Sequence, residues 1–192
     1  MASIPGCGSG QRAISAELGA DRVAMWGISG GGPHVLACAA LLPDLVVAAA
    51  SLASLAPYGA AGLDWYAGMG QDNVDDFRLY FADREAARQK TAKDREEALA
   101  ETPEGVAKGL QTLLTPTDAA VLTGELAEYL VWSTKQGLAP GDEGWWEDAG
   151  AHAGPWASSW TRYRSRCCCC TAGRTCSCRS GTVSGWPGTS PG

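Results

Sequence analysis

The chain has 192 residues, 45% of them apolar, and a formal net charge of −6, the profile of a soluble globular protein with room for one domain of ordinary size. Its apolar stretches, residues 35–42 and 46–53, are too short to span a bilayer. Residues 1–6 lack the basic flank and long apolar core of a secretory leader, so no membrane or nucleic-acid partner is expected and the cytoplasm is the default compartment.

Residues 1–11 are rich in Gly and Ser and read as a disordered start. Residues 12–19 read as a helix end, with Ile14 and Leu18 on one face and Gly19 as its stop. Residues 22–26 read as a buried strand. Residues 35–42 read as a buried helix, which Pro43 and Asp44 break. Residues 45–54 then form an apolar run without alternation, the pattern of a parallel strand covered on both faces. Strand, helix and strand at this spacing make one right-handed βαβ unit.

Between that first strand and its helix lies Gly27-Ile28-Ser29-Gly30-Gly31, followed by Gly32, Pro33 and His34. Gly-x-Ser-x-Gly in a strand-to-helix turn places a serine at the tip of a strained bend, with small neighbours that allow close approach. The alternative reading is an ordinary glycine turn with Ser29 as the helix cap. A phosphate-binding loop is excluded because no Lys followed by Ser or Thr comes after Gly32, and the Gly-x-Gly-x-x-Gly spacing of a dinucleotide site is not met.

On these residues the chain resembles the α/β-hydrolase superfamily, in its serine-nucleophile branch of esterases and proline-iminopeptidase-like enzymes. The resemblance implies an α/β fold, of which residues 12–56 are a partial core. It implies Ser29 as nucleophile, the backbone N–H of Gly30 as one oxyanion donor, no cofactor and no metal. The expected substrate is a small apolar ester or amide; oligomeric state is left open. The family's sheet normally begins well before the nucleophile turn, and only 28 residues precede Ser29, so the resemblance implies an N-terminally incomplete copy.

After residue 57 the pattern turns helical. Residues 72–100 are charged, and from 83 onward their apolar component is mostly Ala, which reads as a solvated helix. Residues 104–114 and 117–132 read as two more helices. Thr115 or Thr117 can cap the second, and Leu122, Leu126, Tyr129 and Leu130 form its apolar stripe. By resemblance residues 57–156 are a helical cap, with Trp65, Tyr66, Met69, Trp132, Trp145 and Trp146 as candidates for an apolar pocket or for the cap's own core.

Composition changes abruptly after Trp156. Up to that point 21 acidic residues face ten basic ones, a balance of −11; beyond it come five Arg, no acid, no Leu or Ile, and six of the eight Cys. Cys167-Cys168-Cys169-Cys170 with Cys176 and Cys178 could be read as a soft-metal cluster, but adjacent cysteines diverge and lack chelating spacing. Disulfides are not expected of a cytosolic chain. The genetic code supplies another account. Consecutive cysteine codons read one base earlier must spell consecutive leucines. With GC-rich codons for the neighbouring residues, the shifted frame reads as an apolar strand ending in His-Gly-x-x-Asp, which resembles the family segment carrying the triad acid; the leucines are forced, the Gly and Asp follow from that codon choice. Residues 157–192 are therefore read as an out-of-frame, disordered tail.

In frame, the only histidines are His34 and His152, and neither matches the family's late catalytic position. His34 reads as helix packing beside the turn and His152 as a polar cap residue. Asp118, Asp142 and Asp148 match no triad acid. No base and no acid are assigned, which leaves two readings: a serine hydrolase by lineage, or a non-catalytic remnant or binding scaffold.

Overall fold

The computed structural model describes residues 7–154 and the backbone of 166–171 and 174–177. The fold is mixed α/β, and the chain divides into two compact units, residues 1–65 with 151–192 and residues 66–150.

The first unit holds the sheet. Strand β1 (Val23–Ile28) leads into helix α2 (Gly31–Leu41), and β2 (Val46–Leu52) returns parallel to β1, with Trp26 opposite Ala50 and Ile28 opposite Leu52. Both strands and the helix lie where the sequence pattern puts them. Helix α2 stays helical without charge because its small residues bury it: Val35, Cys38, Ala39 and Leu42 pack with Leu45, Val46 and Ala49. Val23 and Met25 of β1 close this core from the side. The opposite face of β1 is open, with Trp26 69% and Ile28 60% exposed.

Helix α1 (Cys7–Glu17) begins five residues before the expected helix, so residues 7–11 of the expected disordered start are helical, and residues 1–6 of it lie outside the described residues. Gly19 does end it, at φ +63. Ile14 and Leu18 face solvent instead of a core. The anchor is polar: the Arg12 guanidinium donates to both carboxylate oxygens of Asp44, at 2.8 and 2.9 Å. Cys38 is disulfide-bonded, against the expectation of reduced thiols, and its partner sulfur is not among the described side chains.

The tail also differs from expectation. The backbone of β3 (Arg166–Thr171) pairs parallel with β2, Ala48 opposite Arg166 and Leu52 opposite Cys170, and β4 (Arg174–Ser177) pairs antiparallel with β3. The sheet order is β1-β2-β3-β4. A physical reason is available: from 167 to 171 the run is uncharged, free of Gly and Pro, and made of residues that behave as small hydrophobes. Residues 178–192 lie outside the described part, as do the side chains of the cysteine run.

The second unit is helical: α3 (Gln71–Ala82), α4 (Arg84–Ala100), α5 (Val106–Gly109), α6 (Pro116–Val121), α7 (Gly124–Leu138) and most of α8 (Glu143–Ala153). Asp83 separates α3 from α4 and caps the latter by accepting from Ala86 N at 3.0 Å. Thr115 and Asp118 form a reciprocal capping box at α6, with Pro116 in the first turn. The single helix expected over 117–132 is two, broken at Leu122–Thr123 and restarted at Gly124 with φ +53. The break rephases the buried stripe. Leu122, Ala127 and Val131 are buried around Val106, whereas Leu126 and Tyr129 face outward. No helix among the described residues is long and apolar enough to cross a membrane.

Candidate functional site

The turn between β1 and α2 is strained at its serine. Ser29 has φ +52, a left-handed conformation that costs an L-residue about 1–2 kcal/mol. Two backbone bonds hold it there. Ser29 N–H donates to Leu52 O of β2 at 2.9 Å, and Ser29 O accepts from Gly32 N–H of α2 at 3.1 Å. The sheet thus fixes one side of the residue and the helix the other, and its side chain is left exposed at the tip. The N-cap of α2 is Gly30, with no side-chain cap, so Ser29 is not spent as a helix cap. Among the described residues, no side chain hydrogen-bonds to the Ser29 hydroxyl.

The glycines around Ser29 are required unequally. A Cβ on Gly27 would meet the backbone carbonyl of Gly31 and, at 2.9 Å, Val35 Cγ2. One on Gly32 would land on the hydroxyls of Ser51 and Ser54. A Cβ on Gly31, the second glycine of the motif, would meet nothing within 4 Å. Close packing of helix on strand therefore rests on positions 27 and 32.

His152 lies against the same turn, an arrangement the sequence reading missed. It is buried, and its Nε2 is 3.1 Å from the carbonyl oxygen of Gly30. Its ring also meets that of His34 edge to face, with centroids 5.7 Å apart. His152 and Gly30 are 122 residues apart in the chain, and no local pattern links them.

Two of the three carboxylates weighed as triad acids have other partners. Asp118 belongs to the capping box. Asp142 takes a two-pronged hydrogen bond from Arg88, whose Nη2 is 3.0 Å from Oδ1, and that bond holds the Asp142 carboxyl below the ordinary carboxylate range. Asp148 is a partly buried residue of α8.

The candidate pocket aromatics do separate structural jobs. Trp65 donates its indole N–H to Ala56 O at 2.8 Å and packs edge-on to Tyr58. Tyr66 carries Arg78 over its ring. Trp146 packs against Tyr80 with the rings tilted at 54°, and Arg84 and Arg88 lie over its ring. Trp132 and Trp145 are 58% and 42% exposed, and Met69 is partly buried ahead of α3.

No family model matches the chain, and neither the curated proteins nor the solved structures contain a match to it. The class the described residues define is a mixed α/β protein with a parallel strand pair and a strained serine turn opening its central helix.

Proposed function

We propose that this turn is the nucleophile elbow of an α/β-hydrolase-type serine hydrolase, with Ser29 at the nucleophile position, and that this chain has little or no hydrolytic turnover of its own. The observation carrying the first half is Ser29 itself: a non-glycine residue held at φ +52, exposed, at the exit of a parallel strand and the entrance of a buried helix. A glycine or asparagine would adopt this conformation more cheaply. A serine there is explained by its hydroxyl.

The reaction supported is acyl transfer. Ser29 Oγ adds to the carbonyl carbon of a small apolar ester or amide, the hydroxyl proton leaves with the alcohol or amine, and water then cleaves the acyl-serine. The Gly30 N–H, in the residue following the nucleophile, is the oxyanion donor, aided by the positive end of α2. No cofactor or metal enters this scheme.

The second half rests on the missing activation. A serine hydroxyl is a weak nucleophile at neutral pH unless a base takes its proton, and no side chain among the described residues is bonded to this one. A fluorophosphonate probe tests both halves. Labelling should be slow, should rise with pH, and should be confined to Ser29 and abolished in Ser29→Ala. Rapid labelling at pH 7 would overturn the claim of inactivity. Labelling that survives Ser29→Ala would overturn the placement of the nucleophile.

A further inference from the structure

We propose that His152 is a positioning residue of the Ser29 turn: its Nε2–H pins the peptide of Gly30, the residue that supplies the oxyanion donor. The inference rests on the reading of Ser29 as nucleophile position. Three observations carry it.

The Gly30 carbonyl can only accept, so the 3.1 Å contact requires a proton on His152 Nε2. That nitrogen is committed as a donor and is not the basic nitrogen of the ring.

Gly30 has φ −57 and ψ −21, ordinary right-handed backbone that any residue adopts. Its glycine is therefore not a backbone requirement. What requires it is the imidazole: a Cβ at position 30 would lie 2.9 Å from His152 Cε1. The ring takes the space a side chain would occupy.

His34 is four residues after Gly30, on the same face of α2. Its ring meets that of His152 at an interplanar angle of 67° and holds the imidazole against the first turn. The imidazole, 7% exposed, has little room to swing away.

Residue 30 is thus fixed through its carbonyl. Its N–H belongs to the preceding Ser29–Gly30 peptide, where Ser29 is already held by Leu52 O and Gly32 N–H. Pinning the Gly30–Gly31 peptide on the far side limits the φ and ψ changes at residue 30 through which the N–H could drift. Misplacement of a catalytic group by about 1 Å costs up to about a hundredfold in rate, so loosening this bond should matter even though the histidine makes no bond to the nucleophile.

The test compares His152→Gln, whose side-chain amide keeps an N–H donor near Nε2, with His152→Leu, which keeps bulk and loses the donor. The first readout needs no reactivity: the backbone 15N shift of Gly31, the nitrogen of the peptide whose carbonyl accepts the bond. It should move upfield in His152→Leu and return toward the native value in His152→Gln. The second readout is fluorophosphonate labelling of the full chain at pH 9, expected to slow about tenfold in His152→Leu and to recover in His152→Gln. An unchanged Gly31 shift in His152→Leu would refute the proposal. So would labelling in His152→Gln as slow as in His152→Leu, since the ring would then be acting as a base. If the shifts behave as expected while Ser29→Ala labels like the native chain, the histidine contact stands and the nucleophile reading alone falls. Should His152→Leu fail to fold, the pair Gly30→Ala and Gly30→Ala/His152→Ala decides. The single change should destabilise and the second should relieve it; equal stabilities would refute the packing of ring on glycine.

Discussion

The two glycines of the Gly-x-Ser-x-Gly motif should respond oppositely to alanine. At Gly27 the new Cβ would meet the Gly31 carbonyl carbon at 2.5 Å and Val35 Cγ2 at 2.9 Å. The first obstacle is backbone at the start of α2. Relieving it means moving the helix off the strand, which disturbs the Gly32 N–H to Ser29 O bond and the seating of Val35 in the core. Overpacking of this kind costs about 1–3 kcal/mol, or roughly 2–12 °C of melting temperature for a chain of this size. At Gly31 the Cβ meets nothing, the residue is helical, and alanine loses less backbone entropy than glycine, so Gly31→Ala should be neutral or stabilising by up to about 1 kcal/mol. Gly32→Ala should cost at least as much as Gly27→Ala, because besides the Ser51 and Ser54 hydroxyls its Cβ would meet the Ser54 Cβ, an atom that rotation of the Ser54 side chain does not move. Adding Ser54→Ala keeps that Cβ and should leave most of the loss in place. Thermal and urea unfolding followed by circular dichroism provide the ranking. If Gly31→Ala costs as much as Gly27→Ala, close approach of helix to strand is not what the motif's glycines serve.

Four further outcomes are expected. Ser29→Gly should raise the melting temperature, because relief of about 1–2 kcal/mol of left-handed strain exceeds the 0.5–1 kcal/mol that glycine's extra entropy costs, roughly. Ala53→Gly, at φ +45, should give a similar gain without changing labelling of Ser29. The Arg88–Asp142 pair makes stability depend on acid: the hydrogen bond from Arg88 lowers the Asp142 carboxyl in the folded chain, so its contribution is present above the ordinary carboxylate range and is lost as pH falls through the lowered value. The melting-temperature gap between native chain and Asp142→Asn should therefore be flat from about pH 5 to 8 and close below about pH 4, and a gap that widens in acid would contradict the assignment. Trp26→Lys with Ile28→Lys should raise the concentration at which light scattering appears, with stability changed by no more than about 0.5 kcal/mol, because both side chains are exposed on the open face of β1.

What was legible in the sequence was local. The strand, serine turn, helix and second strand are each written in a run of fewer than a dozen residues, and the cap at Thr115 is spelled by Thr115, Pro116 and Asp118 together. What was not legible depends on residues far apart. Arg12 finds Asp44, Arg88 finds Asp142, and His152 finds Gly30, and in none does either residue advertise its partner. Periodicity also misled where the helix was not continuous. A stripe through Leu122, Leu126 and Tyr129 assumes one helical phase, and the break before Gly124 resets that phase, turning Leu126 and Tyr129 outward. The start of α1 was missed because a Gly/Ser-rich stretch carries no helical signal of its own.

The cysteine run pairs as a strand, and that pairing is compatible with either reading frame. A parallel strand beside β2 needs small or β-tolerant apolar residues without Pro, and both frames provide them: Cys167–Cys170 in the translated one, consecutive leucines in the shifted one. Backbone pairing of 166–171 with β2 is therefore compatible with translation out of frame. Catalytic groups are less forgiving. With GC-rich codons the shifted frame would place an Asp across the codons of Arg174 and Thr175, and neither residue can orient an imidazole as a carboxylate does. If the frame was lost, sequencing codons 155–160 should reveal a single-base restoration that opens a longer reading frame. The chain made from the restored gene should then label at Ser29 at least a hundredfold faster than this one, roughly the contribution of a general base. Should no single-base change lengthen the frame, translation out of frame is wrong. Should the restored chain label no faster, the low reactivity of Ser29 lies in the turn itself and not in partners the tail fails to supply.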